Sequence, residues 1–217
     1  EMQRSLVGSE MCIRDRKGTH PMGGALSLLW HAQAGPIFAA TMNQYKLIEA
    51  PNMQDNVRKY LMGGTPRVEL TQDGVAYSNL DDLNTDITCF IENGFCRFNV
   101  NSHLVNINQQ SPKQGEVLVE VNYAFSEQGV SISVERCNDS AYLVLPVIAS
   151  PKEEVRISTR EASIKKNKGI LYITCEAGYI DVAPTDSDGR IFNPVPGFSF
   201  VPVSYTHLRA HETTLHL

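Results

Sequence analysis

The stretch of this chain richest in residues that can do chemistry is 19–54, THPMGGALSLLWHAQAGPIFAATMNQYKLIEAPNMQ. It holds His20, His31, the only tryptophan (Trp30), the pair Gly23-Gly24, and the polar residues Tyr45, Glu49, Asn52 and Gln54. A carbohydrate site needs an aromatic face for the C–H surface of a sugar ring, and planar amide or carboxyl groups for its hydroxyls. Trp30, Glu49, Asn52 and Gln54 are of those types and form the candidate substrate-binding set. Their plainer roles are a core Trp, an exposed edge charge, and a turn residue after Pro51. His20 precedes Pro21 and a glycine pair, which points to an exposed loop. An imidazole in water titrates near neutrality and serves as acid or base, so His20 is the candidate catalytic residue, with an ordinary surface histidine as the alternative. His31 follows Trp30 in a strand and must take the opposite face, so it reads as structural. His103, in NSHLVN, shows no partner in the sequence.

Other constellations fail. There is no GxSxG, P-loop or GxGxxG pattern. Asp81-Asp82 reads as a turn rather than a calcium site. The run 185–190, TDSDGR, has the composition of a calcium loop but lacks its terminal Glu, and reads as a turn. Lys165, Lys166 and Lys168 read as a solvated turn. His207, His211 and His216 crowd the last fourteen residues, yet no further ligand stands at a recognisable spacing. No metal and no cofactor are expected.

The elements that must position these residues are strands. From Gly24 to Val203 the dominant signal is period-2 alternation broken by glycine-containing turns. Residues 67–70 and 75–77 flank Asp73-Gly74, which supplies the positive φ angles of a type I′ turn. Residues 86–91 and 95–100 flank Asn93-Gly94. In that register Cys89 faces Phe98 and Ile91 faces Cys96, so the two thiols are diagonal, roughly 7–8 Å apart and too far for an unstrained bridge. Cys89, Cys96, Cys137 and Cys175 all read as buried small hydrophobes. A turn at Gln128-Gly129 would set Phe125 against Ile132 and Tyr123 against Val134, one face to core and the other to water. Further strands are expected at 142–148, 154–158, 162–165, 170–175 and 179–182. The first pair, 25–31 and 36–42, carries Leu26, Leu28 and Trp30 on one face and Leu29 on the other, so burial on both sides is expected. One short helix is plausible at 56–61. Many strands in sequence order with little helix mean an all-β fold, a large antiparallel two-sheet β-sandwich of the super-sandwich kind.

Composition bounds the function. The 217 residues are 42% hydrophobic and 20% charged, with a net charge of −5, which excludes collagen, coiled coil and wholesale disorder. With no Lys/Arg block, no nucleic-acid partner is expected. No apolar run approaches the ~18–20 residues of a span, so no membrane partner is expected. Residues 1–16 and 204–217 resemble translated sequencing-adapter read-through and read as non-native or disordered tails around a domain at 17–203. The chain thus reads as one domain of a larger, bacterial protein. Its address is unknown, periplasmic or secreted if it is lyase-like.

The first strand pair resembles the start of the β-sandwich domain of heparinase II/III-like polysaccharide lyases. His20, Met22, Gly24 and Ser27 occupy the spacings of that family's H-x-H-x-D-x-x-S motif; residues 28–30, Gly35-Pro36 and 37–40 supply strand, turn and strand. GRIFNPVPGFSFVPV, 189–203, is similar to the terminal strands of such proteins. The resemblance implies β-elimination on uronate-containing polysaccharide, in which the C5 proton is acidified and removed and the leaving oxygen protonated. It implies a role in the active site for His20. Met22 stands where the family has a second His, and 38–41 contains no acid, so its structural zinc is not expected. The family's other catalytic groups, including its Tyr, lie in an N-terminal helical domain missing here, so the fragment is expected to be inactive alone. Its partners are then a polysaccharide or oligosaccharide and that helical domain. The alternative is a non-catalytic carbohydrate-binding or structural accessory domain.

Overall fold

The structure, a computed structural model, describes residues 22–40, 65–127, 129–137, 140–150, 152–176, 178–182, 199–206 and 211–216. In chain order the strands are β1 (Leu28–His31), β2 (Gly35–Ala39), β3 (Arg67–Gln72), β4 (Val75–Ser78), β5 (Asp86–Glu92), β6 (Phe95–His103), β7 (Leu118–Phe125), β8 (Gly129–Glu135), β9 (Tyr142–Ala149), β10 (Val155–Ile157), β11 (Glu161–Lys166), β12 (Gly169–Cys175), β13 (Tyr179–Val182), β14 (Ser199–Thr206) and β15 (His211–His216). The described helix is one 3₁₀ turn, Asn79–Asp81. The region expected to be helical, 56–61, lies outside the described residues.

The strands make an eight-stranded sheet in the order β10-β11-β12-β15-β8-β7-β6-β5, a five-stranded sheet in the order β13-β14-β9-β3-β4, and the separate pair β1-β2. All pairings are antiparallel. One apolar core joins the three: Val121, Ile132, Ile164 and Ile173 from the large sheet, Val68, Leu143 and Leu145 from the smaller one, and Leu29 and Phe38 from the pair. This is the all-β sandwich with little helix.

Turn chemistry sets the hairpins. Asp73 and Gly74, at φ 52° and 76°, and Asn93 and Gly94, at 51° and 82°, take the two positive φ angles of the type I′ turn. The second turn gives the Cys89–Phe98 and Ile91–Cys96 pairs expected for it. The β7–β8 hairpin differs. Phe125 faces Val130 and Tyr123 faces Ile132. The Ser126 N–H closes the turn on the Gly129 carbonyl at 3.0 Å, one residue earlier than expected. The partners shift by two, which preserves parity, so the same side chains still face the core.

Several burial expectations are corrected. Leu28 and Trp30 are 46% and 37% exposed, while Leu29 and His31 are buried, so β1 is covered on one face only. Cys175 is buried, but Cys89 is exposed, on β5 at one edge of the large sheet, and Cys96 and Cys137 are partly so. Lys166 is not solvated. Its stem points inward beside Ile164, and Nζ donates to the Ile148 carbonyl at 2.7 Å and to Glu153 Oε2 at 3.0 Å. Within the stretch expected to be a tail, residues 204–206 pair with β9 through β14, and 211–216 form β15 between β12 and β8.

Candidate functional site

The described chain enters the sandwich across a close backbone contact. Gly23 and Gly24 have φ angles of 60° and 65°. A Cβ on Gly23 would lie 1.6 Å from the Asn79 carbonyl oxygen, and one on Gly24 would lie 2.3 Å from a Val100 methyl. Only glycine permits this approach. The Met22 N–H donates to the Leu80 carbonyl at 3.0 Å. Asn79, 1% exposed, completes the tie: its Nδ2 donates to the Gly23 carbonyl at 3.0 Å, and its Oδ1 accepts the Val68 N–H at 2.8 Å. One amide therefore locks the entering segment to the start of β3 and satisfies two buried backbone groups at once.

Next to this junction the structure assembles a pair that sequence reasoning missed. Asp82 is buried behind the 3₁₀ turn and accepts the Asn84 N–H at 2.8 Å and the His103 N–H at 2.6 Å. His103 Nδ1 lies 3.3 Å from Asp82 Oδ2. The neighbouring loop is tied in as well, since Gln109 Nε2 donates to the Asp81 carbonyl. A carboxylate can only accept, so Nδ1 is the donor in this contact and the ring is oriented by it. Asp82 also clips the end of β6 to the 82–85 turn. The reading of Asp81-Asp82 as a turn is thus accurate locally. The signal for the rest, an Asx turn at Asp82-Leu83-Asn84, gave no indication that β6 would end beside it.

The sequence candidates separate. Trp30 is exposed on β1, on the face opposite His31, so its ring is available to a ligand. His31 is structural: it is buried, and its Nδ1 accepts the Gln33 N–H at 3.2 Å, with burial lowering its pKa below the ordinary 6.5. His20, Glu49, Asn52 and Gln54 lie outside the described residues, as does 185–190.

Two tyrosines are held as neutral phenols. Burial, then the Glu69 carboxylate, pushes Tyr142 up to about 12. Its hydroxyl donates to Glu69 Oε1 at 2.7 Å, while Arg67 Nε donates to Glu69 Oε2 at 2.6 Å. Burial also pushes Tyr123 upward. Neither is poised to abstract a proton near neutrality.

The model of the ulvan lyase C-terminal domain family matches residues 10–216. A curated relative, the broad-specificity ulvan lyase of Formosa agariphila, is 27% identical over 194 residues, which are 86% of this chain and 30% of that protein. The chain thus spans less than a third of the relative's length. No solved structure matches significantly. These matches support a polysaccharide lyase C-terminal domain and not the heparinase II/III-like assignment.

Proposed function

The chain belongs to the ulvan lyase C-terminal domain family, and from that premise we propose that it is the C-terminal β-sandwich of a larger lyase that cleaves uronate-containing polysaccharide by β-elimination. The family match along almost the whole chain carries this reading, and the name of the Formosa agariphila relative makes ulvan the substrate to try first. In this proposal the chemistry takes place in a cleft between the sandwich and the remainder of the lyase. His20 is our candidate for an acid or base in that cleft, because an imidazole exchanges a proton near neutrality. The Asn79 tie, which holds Gly23 three residues after His20, supports such positioning, because it anchors the chain on a buried part of the fold. Glu49, Asn52 and Gln54 remain candidate contacts to the glycan.

A second reading is a non-catalytic carbohydrate-binding domain, favoured by the exposed ring of Trp30. The test uses the gene completed from its source and follows the ultraviolet absorbance of unsaturated uronate ends released from ulvan. The complete protein is expected to release them, its His20→Ala variant to do so at least about tenfold more slowly, and the 217-residue chain not at all. A complete protein that releases none refutes the lyase reading. A His20→Ala variant with unchanged rate removes the role of His20.

A further inference from the structure

One end of the eight-stranded sheet carries a groove unrelated to the junction around Asn79. In β10, β11 and β12, Val155, Ile164 and Leu171 face one another toward the core, and Ile164 and Leu171 are fully buried. The alternate positions form the outer face. Arg156 lies opposite Ser163, and Ser163 opposite Tyr172. One step along, Lys165 lies opposite Ile170, and the Lys165 N–H donates to the Glu154 carbonyl at 2.9 Å. These residues line a cavity of about 390 Å³.

The composition of this face is unusual for the solvent side of a sheet. Tyr172 and Ile170 are both exposed large side chains at positions where alternation calls for polar ones. Around them stand exposed polar groups. Arg156 Nε and Nη2 both reach Glu154 Oε1, at 2.8 and 2.7 Å, and hold that carboxyl below its ordinary range. Lys165 adds a second cation near Glu154, whose carboxyl its charge also lowers, without forming an ion pair within 4.0 Å among the described residues. An aromatic ring with an aliphatic neighbour offers a surface to the C–H face of a sugar. A guanidinium and a carboxylate offer donors and acceptors to its hydroxyls. Along β11, from Glu161 to Lys165, the face runs about 13 Å, room for more than one ring.

We propose that this groove is a non-catalytic subsite for an acidic glycan chain, with Tyr172 beneath a sugar ring, the Arg156–Glu154 pair on its hydroxyls, and Lys165 on its carboxylate or sulfate. The ligand class rests on the lyase reading above; the groove rests on the register of β10–β12. Its use is to hold the polymer near the domain that cuts it, raising the effective concentration of substrate.

The test is titration calorimetry of the 217-residue chain with ulvan oligosaccharides of defined length, and with the same oligosaccharides after carboxyl reduction or desulfation. Tyr172→Ala is expected to weaken binding at least about tenfold, and Lys165→Gln about three- to tenfold, with circular dichroism unchanged. The loss on Lys165→Gln is expected to vanish with whichever treated ligand lacks the anion that Lys165 holds, which identifies that anion. No binding by the wild-type chain, or wild-type affinity in both variants, overturns the proposal. If binding fails while the complete enzyme cleaves ulvan, the groove falls and the lyase reading stands. If the complete enzyme is inactive but Tyr172→Ala weakens binding, the groove stands alone.

Discussion

Replacing Asn79 with alanine should unfold a large part of the stability of this domain. The side chain is 1% exposed and serves two backbone groups far apart in sequence, the Gly23 carbonyl at 3.0 Å and the Val68 N–H at 2.8 Å. Alanine leaves both buried without a partner. Each stranded group costs about 1–3 kcal/mol, so the loss is about 2–6 kcal/mol. Domains of this kind have about 5–15 kcal/mol to lose. In urea, with a slope of about 2 kcal/mol per molar, the midpoint should fall by about 1–3 M at unchanged slope. Asn101→Ala is the control: it removes one partly exposed bond from Asn101 Nδ2 to Asn99 Oδ1, and should cost about 0.5 kcal/mol or less. Hydrogen exchange reports the cause directly, because the Val68 amide should lose protection before the rest of β3. If Asn79→Ala matches the Asn101→Ala control and the Val68 amide stays protected, the amide does not hold this junction.

Three further outcomes follow from particular side chains. Lys166→Ala should destabilise by about 1–3 kcal/mol in the same urea assay, because it takes the buried ammonium from the Ile148 carbonyl and from Glu153, whose Oε2 keeps the Ser150 N–H; a loss below about 0.5 kcal/mol would mean that water replaces the ammonium. His31, whose pKa is lowered by burial, resists the proton that the unfolded chain accepts below about pH 6.5, so its stabilising contribution is complete above that value and is lost as the pH falls through the lower folded value. The melting temperature of wild type relative to His31→Gln should therefore drop between about pH 8 and about pH 5, and parallel curves would exclude the effect. Maleimide labelling read by mass spectrometry should modify Cys89 within minutes and leave Cys175 untouched until denaturant is added, while equal labelling of both would contradict the edge position of β5.

The hairpins were legible from the chain because their causes are local. Asp73-Gly74 and Asn93-Gly94 choose their own turn, and alternation in β5 through β8 then fixes which side chains share a face. Even the misplaced β7–β8 turn left the faces intact, since a shift of two preserves parity. The candidate site was legible only as residue types. Trp30 was identified as an aromatic suited to sugar, and its exposure depended on β1 pairing with β2 outside the two large sheets.

What the sequence by itself determined is the all-β class, most strand positions, and the parity of each strand. Only the tertiary structure decided which face meets the core, which hairpins become neighbours, and which distant residues meet. Lys166 is inward because the parity of β11 puts it beside Ile164, where the end of β9 supplies a carbonyl to receive it. Asp82 and His103 meet because β6 runs back past the 3₁₀ turn, and Arg156, Ser163 and Tyr172 meet because β10, β11 and β12 stack in one register. Alternation along a chain carries a period of two and no information about what lies across the gap. That information resides in the long-range packing of buried surface, which is the term that assembles the sheets.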